Sequence, residues 1–114
     1  MAHAGAAAAS RREFSPAEVE AVATICRACE AGDWAAARAA VAAAAAARLD
    51  IDFRHLGFDG HTPLTQALVY DAPLDVVDAL VVAGVSVNRV GSRSTPLYLA
   101  LQREEPAEYA AVIR

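Results

Sequence analysis

Cys26 and Cys29 are the residues whose chemistry is easiest to name, because two thiols separated by two residues can share a zinc ion or cycle between dithiol and disulfide. A structural zinc site takes four ligands, however. The sequence holds no second cysteine pair, and His3, His55 and His61 lack the paired spacing of a zinc finger. A redox pair wants its first thiol exposed at a helix start after a strand, whereas both thiols here fall within an apolar helical pattern and read as small buried side chains. His55 and His61 flank a glycine-containing loop with Asp59 between them, and a histidine beside an aspartate can serve as a base. Neither histidine has a Ser or Cys nucleophile at a distance the sequence implies. Gly57-Phe58-Asp59-Gly60 lacks the further Gly-Lys-Ser/Thr of a phosphate cradle and reads as turn chemistry. These residues predict a chain with no catalytic residues, no metal site and no cofactor.

The elements that position these residues follow from composition and periodicity. Of the 114 residues 56% are hydrophobic, but much of that fraction is Ala, in runs such as 6–9 and 42–47. Alanine has the highest helix propensity and buries little area, so closely stacked small helices suit this chain better than thick sheets. The formal charge is −4, from fourteen acids and ten bases, all of the bases Arg. They are scattered, with Arg11 and Arg12 the adjacent pair, and form no stripe for a phosphate backbone, so no nucleic-acid partner is expected. No segment holds eighteen strongly apolar residues, which predicts no membrane insertion. The start of the chain lacks the basic head and Leu- or Val-rich core of a secretory signal, so the expected location is cytoplasmic or nuclear.

Residues 1–13 read as a flexible Ala-rich tail, ahead of one domain over 14–114. Ser15-Pro16-Ala17-Glu18 combines a hydroxyl N-cap, a proline at the first helical position and a glutamate three residues after the cap. Val19, Val22, Ile25, Cys26 and Cys29 then recur at spacings of three and four, which predicts one buried face through about Ala31. Gly32-Asp33 turns the chain into a second helix from Trp34 to about Arg48. Leu49 to Phe53 reads as extended, and Gly57, Asp59 and Gly60 as a loop. Thr62-Pro63 repeats the cap-then-proline signal for a helix to about Tyr70. A further helix from Pro73 to Ala83 is stopped by Gly84, and an extended Val85 to Asn88 and a polar turn follow.

Thr95-Pro96-Leu97 lies thirty-three residues after Thr62-Pro63-Leu64, and Ala100-Leu101 matches Ala67-Leu68 at the same offset. A period of this length marks stacked-repeat architectures. A thirty-three-residue unit that opens with Thr-Pro-Leu, carries two short helices and ends in a hairpin loop resembles the ankyrin repeat. Leu74 to Gly84 looks like that family's second helix, and Asp59-Gly60-His61-Thr62-Pro63-Leu64 like its turn into the next repeat. The resemblance covers about two and a half repeats, with units near 15–58, 59–91 and 92–114. The first has the character of an N-terminal cap, and the last is truncated. It implies an all-α fold, an ankyrin-type α-solenoid of stacked helix-turn-helix repeats with short hairpin loops.

In that family protein partners are held by the loop tips and by the exposed face of each first helix. Carried onto this chain, the resemblance implies partner-binding residues Arg54, Phe58 and His61 in the first loop and Arg89 and Arg93 in the second. The helix faces add Gln66, Tyr70, Tyr98 and Gln102. Aromatic and arginine side chains are the usual anchors of interfaces. The function implied is a non-catalytic scaffold or adaptor that binds one protein, alone or as a subunit of a larger assembly. The alternative is an N-terminal regulatory segment of an enzyme or channel that continues beyond Arg114, since a half-finished last helix leaves an apolar face open.

Overall fold

The computed structural model describes residues 14–87, 96–101 and 107–108. Among these the chain is helical, with no strands: α1 is Pro16–Ala31, α2 Trp34–Ala46, α3 Pro63–Val69, α4 Leu74–Val82 and α5 Pro96–Leu101, with a 3-10 turn at Leu56–Phe58 between α2 and α3. None of these helices is long and apolar enough to cross a membrane.

The helix starts follow the local chemistry of their caps. Ser15 Oγ accepts the Glu18 amide at 3.2 Å while Glu18 Oε1 accepts the Ser15 amide at 3.0 Å, so two free donors at the start of α1 are satisfied reciprocally. Thr62 and Thr65 do the same for α3, at 3.2 and 2.9 Å. Asp33 Oδ1 accepts the Ala36 amide to start α2.

The helix ends share one geometry. After α1, α2, α3 and α4 the amide five residues beyond a carbonyl bonds back to it: Asp33 to Ala28, Leu49 to Ala44, Ala72 to Ala67 and Val85 to Leu80, all at 2.9–3.1 Å. The residue before each of these donors is left-handed: Gly32 at φ 71°, Arg48 at 56°, Asp71 at 62° and Gly84 at 101°. This closure satisfies the last carbonyls of a helix and redirects the chain. Gly84 adopts it without cost, because it has no Cβ. Arg48, in the equivalent place after α2, does not have that freedom.

Packing places the helices in two rows. α1 packs on α3 and α3 on α5, which makes one row; α2 packs on α4, which makes the other; α1 with α2 and α3 with α4 join the rows. One continuous core runs through both, from Val22, Ile25, Cys26 and Cys29 of α1 and Ala37, Val41 and Ala44 of α2 to Leu64 and Leu68 of α3, Val76, Val77 and Leu80 of α4 and Ala100 of α5. Val19, expected on the buried face of α1, is exposed. Buried alanines at positions 28, 37, 44, 67 and 100 let the helix axes approach, while the alanines at 35, 36, 39, 42, 43, 45 and 46 face outward.

Polar contacts link successive helix pairs at three levels. Asp52 Oδ1 accepts the Ser86 amide at 3.0 Å, joining the extended segments that follow α2 and α4. Gln66 of α3 donates to the Cys26 carbonyl of α1 at 3.2 Å. Arg38 of α2 holds Asp75 of α4 through two of its guanidinium nitrogens, Nε and Nη2, at a site exposed enough that the pair adds orientation more than stability. The start of α1 is pinned as well, by Glu18 Oε2 accepting the Asp50 amide at 2.8 Å and by Phe14 stacked on Phe53 with ring centroids 4.0 Å apart.

Replacing Arg48 by glycine removes the left-handed cost without touching the core, so Arg48→Gly is expected to stabilise the protein by about 1 kcal/mol. Urea unfolding followed by circular dichroism measures it; an unchanged or lower midpoint contradicts the strain assigned to Arg48.

Candidate functional site

The segment from Arg54 to His61 projects between α2 and α3 as a short hairpin. His55 donates its amide to the His61 carbonyl at 3.0 Å, and the His55 carbonyl accepts the amides of Phe58 and Gly60, both at 3.0 Å. Arg54 closes the base, its Nε donating to the Gly60 carbonyl at 3.1 Å. The 3-10 turn leans on α1. Within it Phe58 is half-buried against the core and meets the His55 ring edge-on, with centroids 5.1 Å apart, while Leu56 is 89% exposed. The loop therefore tucks its aromatic residue inward and holds its aliphatic one out to water.

The residues implied as partner-binding divide accordingly. Arg54 and Tyr70 lie at the surface, Tyr70 with 41% of its area exposed at the end of α3 beside exposed Val69. Phe58 and His61 are half-buried. The His61 Nδ1 lies 3.1 Å from Thr65 Oγ1, so this ring belongs to the cap of α3. Burial pushes the His61 imidazole below its ordinary pKa, against an opposing pull from Asp59.

Gln66 is a correction. Expected on an exposed helix face, it is 2% exposed and bonded to the Cys26 carbonyl. Thr65 is buried too, its hydroxyl turned back into the Thr62 cap. The cause is length: α3 spans seven residues between α1, α4 and α5, so its flanks are covered and only its last residue, Val69, and the Tyr70 that caps it emerge. Arg89, Arg93, Gln102 and the Tyr98 side chain lie outside the described residues.

The thiols are placed as expected, both free and buried in the first row. Burial pushes Cys26 up to about 12, with Cys29 and Glu30 adding to the effect and Arg27 opposing it; burial alone pushes Cys29 up to about 12. A thiol held neutral in this way is the reverse of an activated nucleophile. Among the described residues no three His, Cys, Asp or Glu side chains are grouped as metal ligands. Compared with known protein families, curated proteins and solved structures, the chain finds no match.

Among the polar contacts that sequence reasoning missed are those of Asp52 and of the His55 ring, whose Nδ1 accepts the Gly57 amide at 3.1 Å. The signal for the first was present, in the alternation Asp50-Ile51-Asp52 set against Ser86-Val87-Asn88.

The thiols generate a pH prediction. Their folded-state pKa values lie above the unfolded value of 9.0, so the stability they contribute is complete below pH 9 and is lost as pH rises toward about 12. The Cys26→Ala, Cys29→Ala double variant is expected to lose less stability between pH 9 and 11 than the native chain, measured by urea midpoints. At pH 7.5 the native thiols should resist a thiol reagent until the protein is unfolded. Fast native labelling contradicts the burial.

Proposed function

We propose that this chain is an ankyrin-type repeat module of about two and a half units, whose function is to hold another protein and not to carry out a reaction. The reading is supported by the two rows of short helices joined through one core, with a hairpin projecting between successive pairs, and by the thirty-three-residue interval from Thr62-Pro63-Leu64 to Thr95-Pro96-Leu97. The observation that carries the binding role is the exposed set around the first hairpin and the end of α3: Arg54 and Leu56 on the loop, and Val69 and Tyr70 on the helix.

Arginine and tyrosine anchor interfaces because each brings large contact area with a polar end, and an exposed leucine beside them adds area that water solvates poorly. In this reading Gln66 and Thr65 serve the stack, and Phe58 supports the loop from beneath. The module is cytoplasmic or nuclear and works through one partner, as a scaffold or adaptor. Its thiols and histidines take no part in chemistry.

The two roles separate experimentally. With a partner protein identified by cross-linking in cells and its affinity measured with purified components, Arg54→Ala with Tyr70→Ala is expected to weaken binding at least about tenfold while helicity and unfolding midpoint stay near native. Gln66→Ala is expected to destabilise the fold by about 1–3 kcal/mol, because it leaves a buried carbonyl without its side-chain donor and opens space between α1 and α3. Val82→Ala, on the second row, leaves affinity unchanged. Full affinity in the Arg54, Tyr70 double variant removes this surface as the binding site.

A further inference from the structure

The hairpin tip is held by a histidine in a way that only one protonation state permits. A backbone amide always carries its hydrogen, so the 3.1 Å contact between the Gly57 amide and His55 Nδ1 requires a lone pair on that nitrogen. The ring must then be neutral, with its proton on Nε2. Gly57 leaves room for the contact: a Cβ at this position would lie 3.1 Å from His55 Cε1 and 3.2 Å from Nδ1, so any side chain here would press the imidazole back by a few tenths of an ångström. The same ring meets Phe58 edge-on, and the next residue after His55 is the exposed Leu56. One neutral imidazole thus caps the turn that displays the leucine.

We propose that His55 and Gly57 form a proton-sensitive latch on this hairpin, which holds the Leu56–Phe58 turn closed when the imidazole is neutral and releases it on protonation. An added proton on Nδ1 sets two N–H groups against each other; the bond is lost and the ring must turn away from the Gly57 amide. The remaining ties, from Phe58 and Gly60 to the His55 carbonyl and from His61 to the Phe58 carbonyl, are backbone bonds that do not titrate. Loosening is therefore confined to residues 56–58, and the helical rows stay intact.

The charged groups around the latch come from two elements. In the loop, Arg54 is adjacent and tied to the Gly60 carbonyl, Asp59 is two residues beyond Gly57, and His61 lies across the backbone bridge and faces Thr65. On α1, against which the turn packs, Glu20 pairs with Arg27, Glu18 receives the Ser15 and Asp50 amides, and Glu30 is exposed. The device goes beyond the binding reading and does not depend on it, since its readout is the free protein.

Nuclear magnetic resonance of the full chain labelled with nitrogen-15 tests it between pH 8 and pH 5, the range in which ordinary histidines titrate. At pH 8 the His55 ring is expected to carry its proton on Nε2, and the Gly57 amide shift is expected to follow the His55 ring titration, with protection from hydrogen exchange falling about fivefold at the acid end. His55→Asn keeps a side-chain acceptor for the amide two residues on but cannot titrate, so its Gly57 amide should hold one position across the range. Gly57→Ala, whose methyl presses on the imidazole, should show a weaker hold on this amide already at pH 8. A His55 proton on Nδ1 at pH 8, a Gly57 amide indifferent to the His55 titration, or a His55→Asn protein that titrates like the native one each overturns the proposal.

Discussion

Among the described residues the pair α1–α2 and the pair α3–α4 bury their apolar side chains in one shared core, and the fold follows from that sharing. α3 shows it most clearly. Of its seven residues the six from Pro63 to Leu68 are buried, Thr65 and Gln66 included, because α1, α4 and α5 lie around it. An isolated helix of this length is unstable in water, so its existence is a tertiary effect. Gln66 marks the seam: a side chain that would be solvated on a lone helix instead donates to the carbonyl of Cys26 on the neighbouring helix. Removing water from that amide is tolerable only because the partner is in place.

The same economy governs the chain between helices. Each of the first four helices closes with one left-handed residue and a backbone bond across five residues, so each leaves its row at a defined angle and the extended segments after α2 and α4 come side by side. Asp52 then joins those segments by accepting the Ser86 amide. Stability rests on small side chains at close range, with Ala28, Ala37, Ala44 and Ala67 at the contacts and Ile25, Leu64 and Leu80 as the larger pieces. The surface pairs Arg38 with Asp75 and Arg27 with Glu20 are too exposed to carry the fold.

Much of this was legible in the amino-acid sequence, and the exceptions share a cause. Ser15-Pro16 and Thr62-Pro63 mark helix starts because a hydroxyl followed by proline is local chemistry, and both caps form. The buried thiols were legible from their spacing with Val22 and Ile25. The end of α2 was not: a helix expected to reach about Arg48 stops at Ala46, since Arg48 takes a left-handed conformation that its residue type does not announce. Gln66 was assigned to a surface by the resemblance, which carries over a position but not how many neighbours surround this seven-residue helix. Phe58, implied as an interface anchor, sits half inside for the related reason that its loop leans on α1. The hold of His55 on Gly57 is a contact over two residues whose geometry depends on the missing Cβ, and no pattern of residue types reports it.

The central claim is that neighbouring helix pairs stand or fall together, and native-state hydrogen exchange of α1 and α3 amides in rising denaturant tests it most directly. The account predicts that the slowest amides of Val22 to Cys29 and of Ala67 to Leu68 converge on one opening free energy, because each helix is the other's solvent shield. Separate openings, with α1 and α2 staying protected after α3 has exchanged freely, would contradict it.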